Sequence, residues 1–197
     1  MTGDQPQREE LRAAAVRGIR WASISRPATE VIQLVSMVIL ARLISPAGPG
    51  HVLYLKSDLT RDRWKIYADN IAMARWLQKT VQGMLNDELS DTAIPVTEAV
   101  FDKSGDARDF WTERAVSHDE EVTLTWYDIG EPLLIHTEPG PPPARKYGVC
   151  TVLIPALGGR LTVNGVQAKG RPFPTQREGR PFSTCALAFS ESWTEAR

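Results

Sequence analysis

The N-terminal fifty residues place a basic segment directly in front of an apolar one. Five arginines and two glutamates lie between residues 8 and 26, and the apolar run VIQLVSMVILARLI follows at 31–44. A membrane-spanning helix needs about 20 mostly apolar residues, so this run, which is interrupted by Arg42, is short for that purpose. Extending it backward brings Pro27 near its middle, where a proline would kink the helix.

Three interpretations of this segment stay open. The first is a membrane helix whose arginine-rich flank lies in the cytoplasm, which would place the protein at the inner membrane. The second is a secretory signal peptide with an apolar region at 34–44 and small residues at 45–47, although the charge of Arg42 counts against it. The third is an ordinary amphipathic helix on a cytoplasmic protein. Apolar residues at helical spacing favour the third, namely Ile32, Val35, Ile39 and Leu43.

The same region contains a Gly-x-x-Trp element, a glutamine within the apolar run, and an Ala-Arg-Leu-Ile-Ser-Pro turn followed by glycine. The residues are Gly18, Trp21, Gln33, Ala41, Arg42, Leu43, Ile44, Ser45, Pro46 and Gly50. With them, segment 17–50 resembles the first helix of the polysaccharide (O-antigen type) flippases of the oligosaccharidyl-lipid/polysaccharide exporter group. It departs from the family at 47–49, Ala-Gly-Pro, where an acidic and an aromatic residue are usual.

The resemblance implies a membrane partner through residues 17–46 and a link with cell-surface polysaccharide export. Flippases of this group contain a dozen or more membrane helices, whereas no apolar run near about 18 residues follows residue 50. The resemblance therefore implies a non-enzymatic, membrane-associated protein, a truncated or fused transporter start joined to an unrelated domain.

Gly48-Pro49-Gly50 is a breaker cluster and predicts a boundary between a helical, membrane-anchor-like segment, 1–50, and a soluble domain, 51–197. The start of the second segment, 51–55, reads as a short strand. From 61 to 89, apolar residues step by three or four and predict one long helix. They are Trp64, Tyr67, Ile71, Ala74, Leu77, Val81 and Leu85.

Beyond Pro95 the sequence has the short runs and turn signals of an antiparallel β domain. Residues 121–127 alternate with Val122, Leu124 and Trp126 on one face. Asn164-Gly165 predicts a type I′ hairpin turn. Further strands are predicted at 133–137, 147–154, 160–163, 166–169 and 183–190. The predicted class is α+β, a long helix packed on a mainly antiparallel sheet or barrel, preceded by an N-terminal membrane-like helix.

The charges are balanced overall but segregated along the chain. The formal charge of -1 and the lack of phosphate-loop or RNP-like motifs disfavour nucleic acid as a partner. Residues 87–121 carry a local balance of -8 and residues 140–180 one of +6. The two regions either face each other or are simply solvated, or the basic one binds an anionic or sugar ligand. The candidate anion-binding residues are Arg145, Lys146, Arg171, Arg177 and Arg180.

A metal or acid/base group is a second candidate site. A hairpin over 121–137 would bring His118, Glu120 and His136 to one end, as ligands of a mononuclear metal. No established metal motif and no nucleophile motif is present, so no catalytic residue and no cofactor is assigned. Cys150 and Cys185 lie in apolar strands and are expected to be inert. The alternative function is therefore a small soluble enzyme or ligand-binding protein that uses one of these two sites.

Overall fold

The computed structural model describes residues 20–21, 36–83, 86–138, 147–177 and 179–195, which form a mainly β structure with one short helix. The strands are β1 (Arg20–Trp21), β2 (Ser36–Ser45), β3 (Gly48–Ser57), β4 (Lys65–Ala68), β5 (Val96–Glu98), β6 (Val100–Asp106), β7 (Phe110–Val116), β8 (Glu121–Ile129), β9 (Leu133–Thr137), β10 (Tyr147–Val163), β11 (Val166–Gln167), β12 (Pro174–Arg177), β13 (Arg180–Ser183) and β14 (Ala186–Glu195).

Twelve strands form one sheet that curls into a half-barrel. The order is β5-β4-β3-β2-β1-β14-β10-β8-β7-β6, with β9 and β11 also paired to β10, while β12 and β13 form a separate hairpin. The two ends of this path, β5 and β6, are consecutive in the chain and meet at Ala99, whose N–H donates to the Ala68 carbonyl at 3.0 Å. Because one continuous chain segment forms both edge strands of this path, the sheet must curl back toward itself.

The N-terminal helix predicted at 31–44 is wrong over 36–44, which is strand β2. This strand pairs with β3 along its whole length, from Ser36 opposite Ser57 to Ser45 opposite Gly48. The turn ends at Gly48, whose φ of 95° suits glycine. Residues 31–35 lie outside the described part. The transmembrane-helix prediction is also corrected, since none of the described helices is both long and apolar enough to cross a bilayer.

The long helix predicted over 61–89 is wrong as well. Residues 65–68 are strand β4, which lies between β3 and β5, and the helix α1 (Ile71–Leu77) begins only after Asn70. The Asn70 side chain accepts a hydrogen bond from the Met73 N–H at 3.0 Å and caps the helix. The helix continues into a π-helical turn, Gln78–Gln82. Sheet pairing therefore overrides the helical spacing of the apolar residues before Asn70.

The α+β class is therefore corrected to a mainly β fold. Several β predictions beyond Pro95 are confirmed, whereas the strand predicted at 166–169 covers only Val166–Gln167 and the one predicted at 183–190 is divided between the end of β13 and the start of β14. Val122, Leu124 and Trp126 are buried on one face of β8, and β9 has the predicted bounds. Asn164 and Gly165 have φ angles of 51° and 77° and connect β10 to β11. The runs 147–154 and 160–163, predicted as two strands, are parts of the 17-residue strand β10.

Two hydrophobic cores lie on opposite faces of the sheet. The inner core fills the curl, and the outer core lies between the sheet and α1. On β2, Leu40 belongs to the inner core and Ala41 to the outer core, as the alternation of a strand requires. The inner core includes Val38, Leu40, Leu53, Leu55, Leu124, Trp126 and Leu187; the outer core includes Val52, Tyr54, Ile66, Met73 and Leu77.

Candidate functional site

An apolar cleft of about 340 Å³ lies beside the middle of β10. Its volume falls in the range of roughly 300–1,000 Å³ that small-molecule sites occupy. Its walls are mostly proline, leucine and phenylalanine side chains, and its two charged residues are Glu131 and Arg180. The lining residues are Gly130, Glu131, Pro132, Leu133, Pro155, Leu157, Arg180, Pro181 and Phe182.

The cleft exists because β8 and β9 occupy successive lengths of β10. Strand β8 pairs with residues 156–163 of β10, and β9 pairs with residues 149–153. The connection 130–132 between β8 and β9 therefore runs alongside the stretch of β10 that lies between these two ranges. The Gly130 N–H donates to the Pro155 carbonyl at 2.8 Å and fixes this connection. A Cβ at Gly130 would lie 3.0 Å from Pro155 Cγ, so glycine permits the close approach.

Arg180 supplies the positive charge of the cleft. It lies at the start of β13, directly opposite Arg177 of β12. The Arg177 guanidinium lies over the ring of Phe182, 5.7 Å from its centroid. Of the two arginines, Arg180 is the one that lines the cleft. Within the described ranges, no carboxylate forms an ion pair with Arg180. A guanidinium with free donors at an apolar wall is suited to bind an anion.

The five residues of the predicted anion site are only partly brought together. Arg177 and Arg180 face each other in one hairpin, and Arg171 is exposed in the segment before it. Arg145 and Lys146 lie outside the described residues. The acidic region 87–121 pairs with cations outside the basic region 140–180, through the ion pairs Arg42–Glu113, Lys56–Glu88, Lys65–Glu120 and Arg114–Asp102.

The structure does not bring His118 and His136 together. Because β8 and β9 follow each other along β10 instead of forming a hairpin, the two histidines lie near opposite ends of that strand, a path of roughly 40 Å. His118 is 96% exposed beside Asp119. The Glu120 carboxylate is held elsewhere, by Lys65 and Tyr67. No group of three or more His, Cys, Asp or Glu in the described ranges is arranged to hold a metal.

Glu120 instead joins β4 to the turn between β7 and β8. Lys65 Nζ and the Tyr67 hydroxyl each donate to one of its carboxylate oxygens at 2.6 Å. Burial alone would raise the pKa of Glu120, but these two hydrogen bonds outweigh burial and lower it. Burial and the neighbouring carboxylate raise the pKa of Tyr67. The carboxylate is therefore ionised and the phenol protonated at neutral pH.

A buried ion pair lies inside the curl, away from the cleft. Glu113 of β7 is fully buried and accepts hydrogen bonds from Arg42 Nε at 3.2 Å and Nη2 at 2.6 Å. The Trp111 indole N–H donates to the same carboxylate at 2.9 Å. The pair therefore joins β2 to β7 across the open side of the half-barrel.

His51 extends this network toward solvent. Its Nε2 lies 2.8 Å from Arg42 Nη1, and its Nδ1 contacts an oxygen of Asp69. Since a guanidinium only donates, His51 accepts at Nε2 and donates from Nδ1, which fixes the neutral tautomer. The ring also stacks on Phe101 with centroids 5.4 Å apart. Both ring nitrogens are engaged, so the arrangement positions side chains and offers no free base.

The sequence analysis missed these network residues. Arg42 and Glu113 are 71 positions apart, and each resembles an ordinary strand charge in the sequence. Only Arg42 carried a signal, as a charge inside an apolar run.

Comparisons with known proteins add no constraint on this site. No family model, no curated protein and no solved structure matches the chain.

Proposed function

We propose that this protein binds a small amphipathic anion, an apolar molecule carrying one carboxylate, in the cleft beside β10. The observation that carries the proposal is the position of Arg180 at an otherwise apolar cleft, with no carboxylate paired to it among the described residues. A ligand carboxylate can accept two parallel hydrogen bonds from a guanidinium, and apolar surroundings strengthen that interaction.

The apolar walls account for the rest of the ligand. Leu157 is 50% exposed although it lines the cleft, and Pro181 is exposed beside it. Covering such apolar surface with a ligand contributes about 25 cal/mol of favourable free energy per Å². An aliphatic chain or an aromatic ring fits these walls better than a sugar, whose hydroxyls would find few partners there.

Glu131 restricts the charge of the ligand. It lines the same cleft as Arg180, so its carboxylate would repel a ligand with two negative charges. A single carboxylate on an apolar body avoids that cost, which favours a monoanion over a phosphate. The link with polysaccharide export remains a separate prediction that rests on the resemblance of segment 17–50.

The test uses anilinonaphthalene sulfonate as a fluorescent apolar anion, displaced by octanoate or by octanol. Wild-type protein should bind the dye, and octanoate should displace it at a lower concentration than octanol does. Arg180→Gln should weaken octanoate about tenfold or more, because a charged hydrogen bond is lost, and should leave octanol unchanged. Leu157→Asp should weaken both competitors.

Arg160→Gln is the matched control, since Arg160, on β10, is also an exposed arginine but does not line the cleft. Its competition curves should equal those of the wild type. Equal octanoate affinity in Arg180→Gln and Arg160→Gln, or dye binding that Leu157→Asp leaves intact, would contradict the proposal. Each variant is also melted, so that dye bound to unfolded protein is recognised.

A further inference from the structure

A cysteine, a histidine and a glutamate lie together near one end of the paired strands β9 and β10. His136 is directly opposite Cys150 in the antiparallel register, so the two side chains project from the same face. His136 Nε2 is 2.6 Å from a carboxylate oxygen of Glu138. The sequence separates Cys150 from its histidine by fourteen positions, which is why no nucleophile motif was visible.

The histidine is placed between the other two groups. The neighbouring Cys150 sulfur and the Glu138 carboxylate, which both favour the protonated ring, raise the pKa of His136 and make it a stronger base. His136 and Glu138 are 59% and 78% exposed, and Cys150 is partly exposed. In the described ranges β9 pairs only with β10. On β14, the backbone partner of Cys150 is the uncharged Ser192.

We propose that Cys150 is a reactive thiol that exchanges with small disulfides, with His136 as its base and Glu138 as the residue that orients His136. The Cys150 sulfur attacks one sulfur of a disulfide RSSR while His136 takes the thiol proton. A new bond forms between Cys150 and that sulfur, the RS–SR bond breaks, and the leaving RS⁻ takes the proton from His136. The protein thiol is oxidised and half of the small disulfide is reduced.

Cys185 provides an internal contrast. It is fully buried, and burial raises its pKa to about 12, so it is expected to be inert. The two cysteines therefore differ in their access to solvent, and Cys150 has a histidine directly opposite it in the neighbouring strand. This proposal does not depend on the cleft or on its ligand.

The experiment follows the reaction of the native full chain with dithiodipyridine, whose released thiopyridone is measured by absorbance. One thiol should react at about pH 7.5, where more of His136 is neutral and an ordinary thiol is still mostly protonated, and mass spectrometry should place the adduct on Cys150. His136→Ala should slow this reaction at least about tenfold, since general bases contribute at least that much. Glu138→Gln should slow it less. At about pH 9.5, where ordinary thiols are largely ionised, the rates should converge.

His118→Ala is the matched control, because His118 is an exposed histidine near the other end of β10, and its rate should equal that of the wild type. Cys150→Ser should abolish the reaction of the native protein. Three results would overturn the proposal: an adduct on Cys185, no slowing in His136→Ala, or equal slowing in that variant at both pH values. The last would mean that His136 affects access and not proton transfer.

Discussion

The Arg42 guanidinium and the fully buried Glu113 carboxylate lie 2.6 Å apart and connect β2 to β7 across the curl of the sheet. Removing one partner leaves an uncompensated charge in the interior. Glu113→Ala should therefore lower the free energy of unfolding by about 3–5 kcal/mol, measured by urea denaturation at neutral pH.

The double variant Arg42→Met/Glu113→Leu separates the charge effect from the loss of packing. It should be clearly more stable than Glu113→Ala, because two apolar side chains can replace a buried pair at little cost. Asp102→Ala removes the exposed pair with Arg114 and serves as control, and it should change stability little. A Glu113→Ala protein as stable as Asp102→Ala would show that the interior pair does not hold the curl.

The Glu120 carboxylate predicts a pH-dependent contribution to stability. Its pKa in the folded protein is lowered from 4.5, so its stabilising effect is fully present above that value. The effect is lost as the pH falls through the lowered folded pKa. Glu120→Gln should therefore be less stable than the wild type at about pH 7, and the gap should shrink toward about pH 3. Thermal melts over this range measure the gap, and a gap that is constant with pH would contradict the prediction.

The elements that the sequence predicted correctly depend on local signals. The alternation of Val122, Leu124 and Trp126 and the Asn164-Gly165 turn need no knowledge of distant strands. The spacing of Trp64, Tyr67 and later residues also fits a helix, but residues 65–68 are held in the sheet by β3 and β5. Such pairing partners are set by the whole chain, so a local period cannot reveal them.

For the candidate sites, too, local sequence signals were recognised and long-range pairing was not. Arg180 was recognised from its basic surroundings, but the cleft depends on how β8 and β9 share β10. Cys150 and His136 were each noticed separately, and only the register of β9 with β10 places them opposite each other. The sequence thus supplied residue types, and the strand register supplied their proximity.

Two glycines with positive φ should respond differently to substitution. A Cβ at Gly105 would lie 2.4 Å from the Phe110 carbonyl oxygen, whereas one at Gly165 would meet nothing within 4 Å. Gly165→Ala should cost about 1 kcal/mol for the left-handed backbone alone. Gly105→Ala adds a backbone clash and should cost roughly 2–4 kcal/mol. Urea denaturation of both variants tests this order, and equal losses would contradict the geometry of the β6–β7 hairpin.

Leu40 and Ile44 lie in different environments although both are on strand β2. Residues four positions apart share one face of a strand, so the difference comes from their positions along the hairpin. In the strand, Leu40 is fully buried in the inner core and Ile44 is 55% exposed near the end of the hairpin. Leu40→Ala should therefore lower the free energy of unfolding by about 2–5 kcal/mol. Ile44→Ala should lower it by less than about 1 kcal/mol. Similar losses in the two variants, measured by urea denaturation, would contradict the placement of Leu40 in the inner core and of Ile44 at the exposed end of the hairpin.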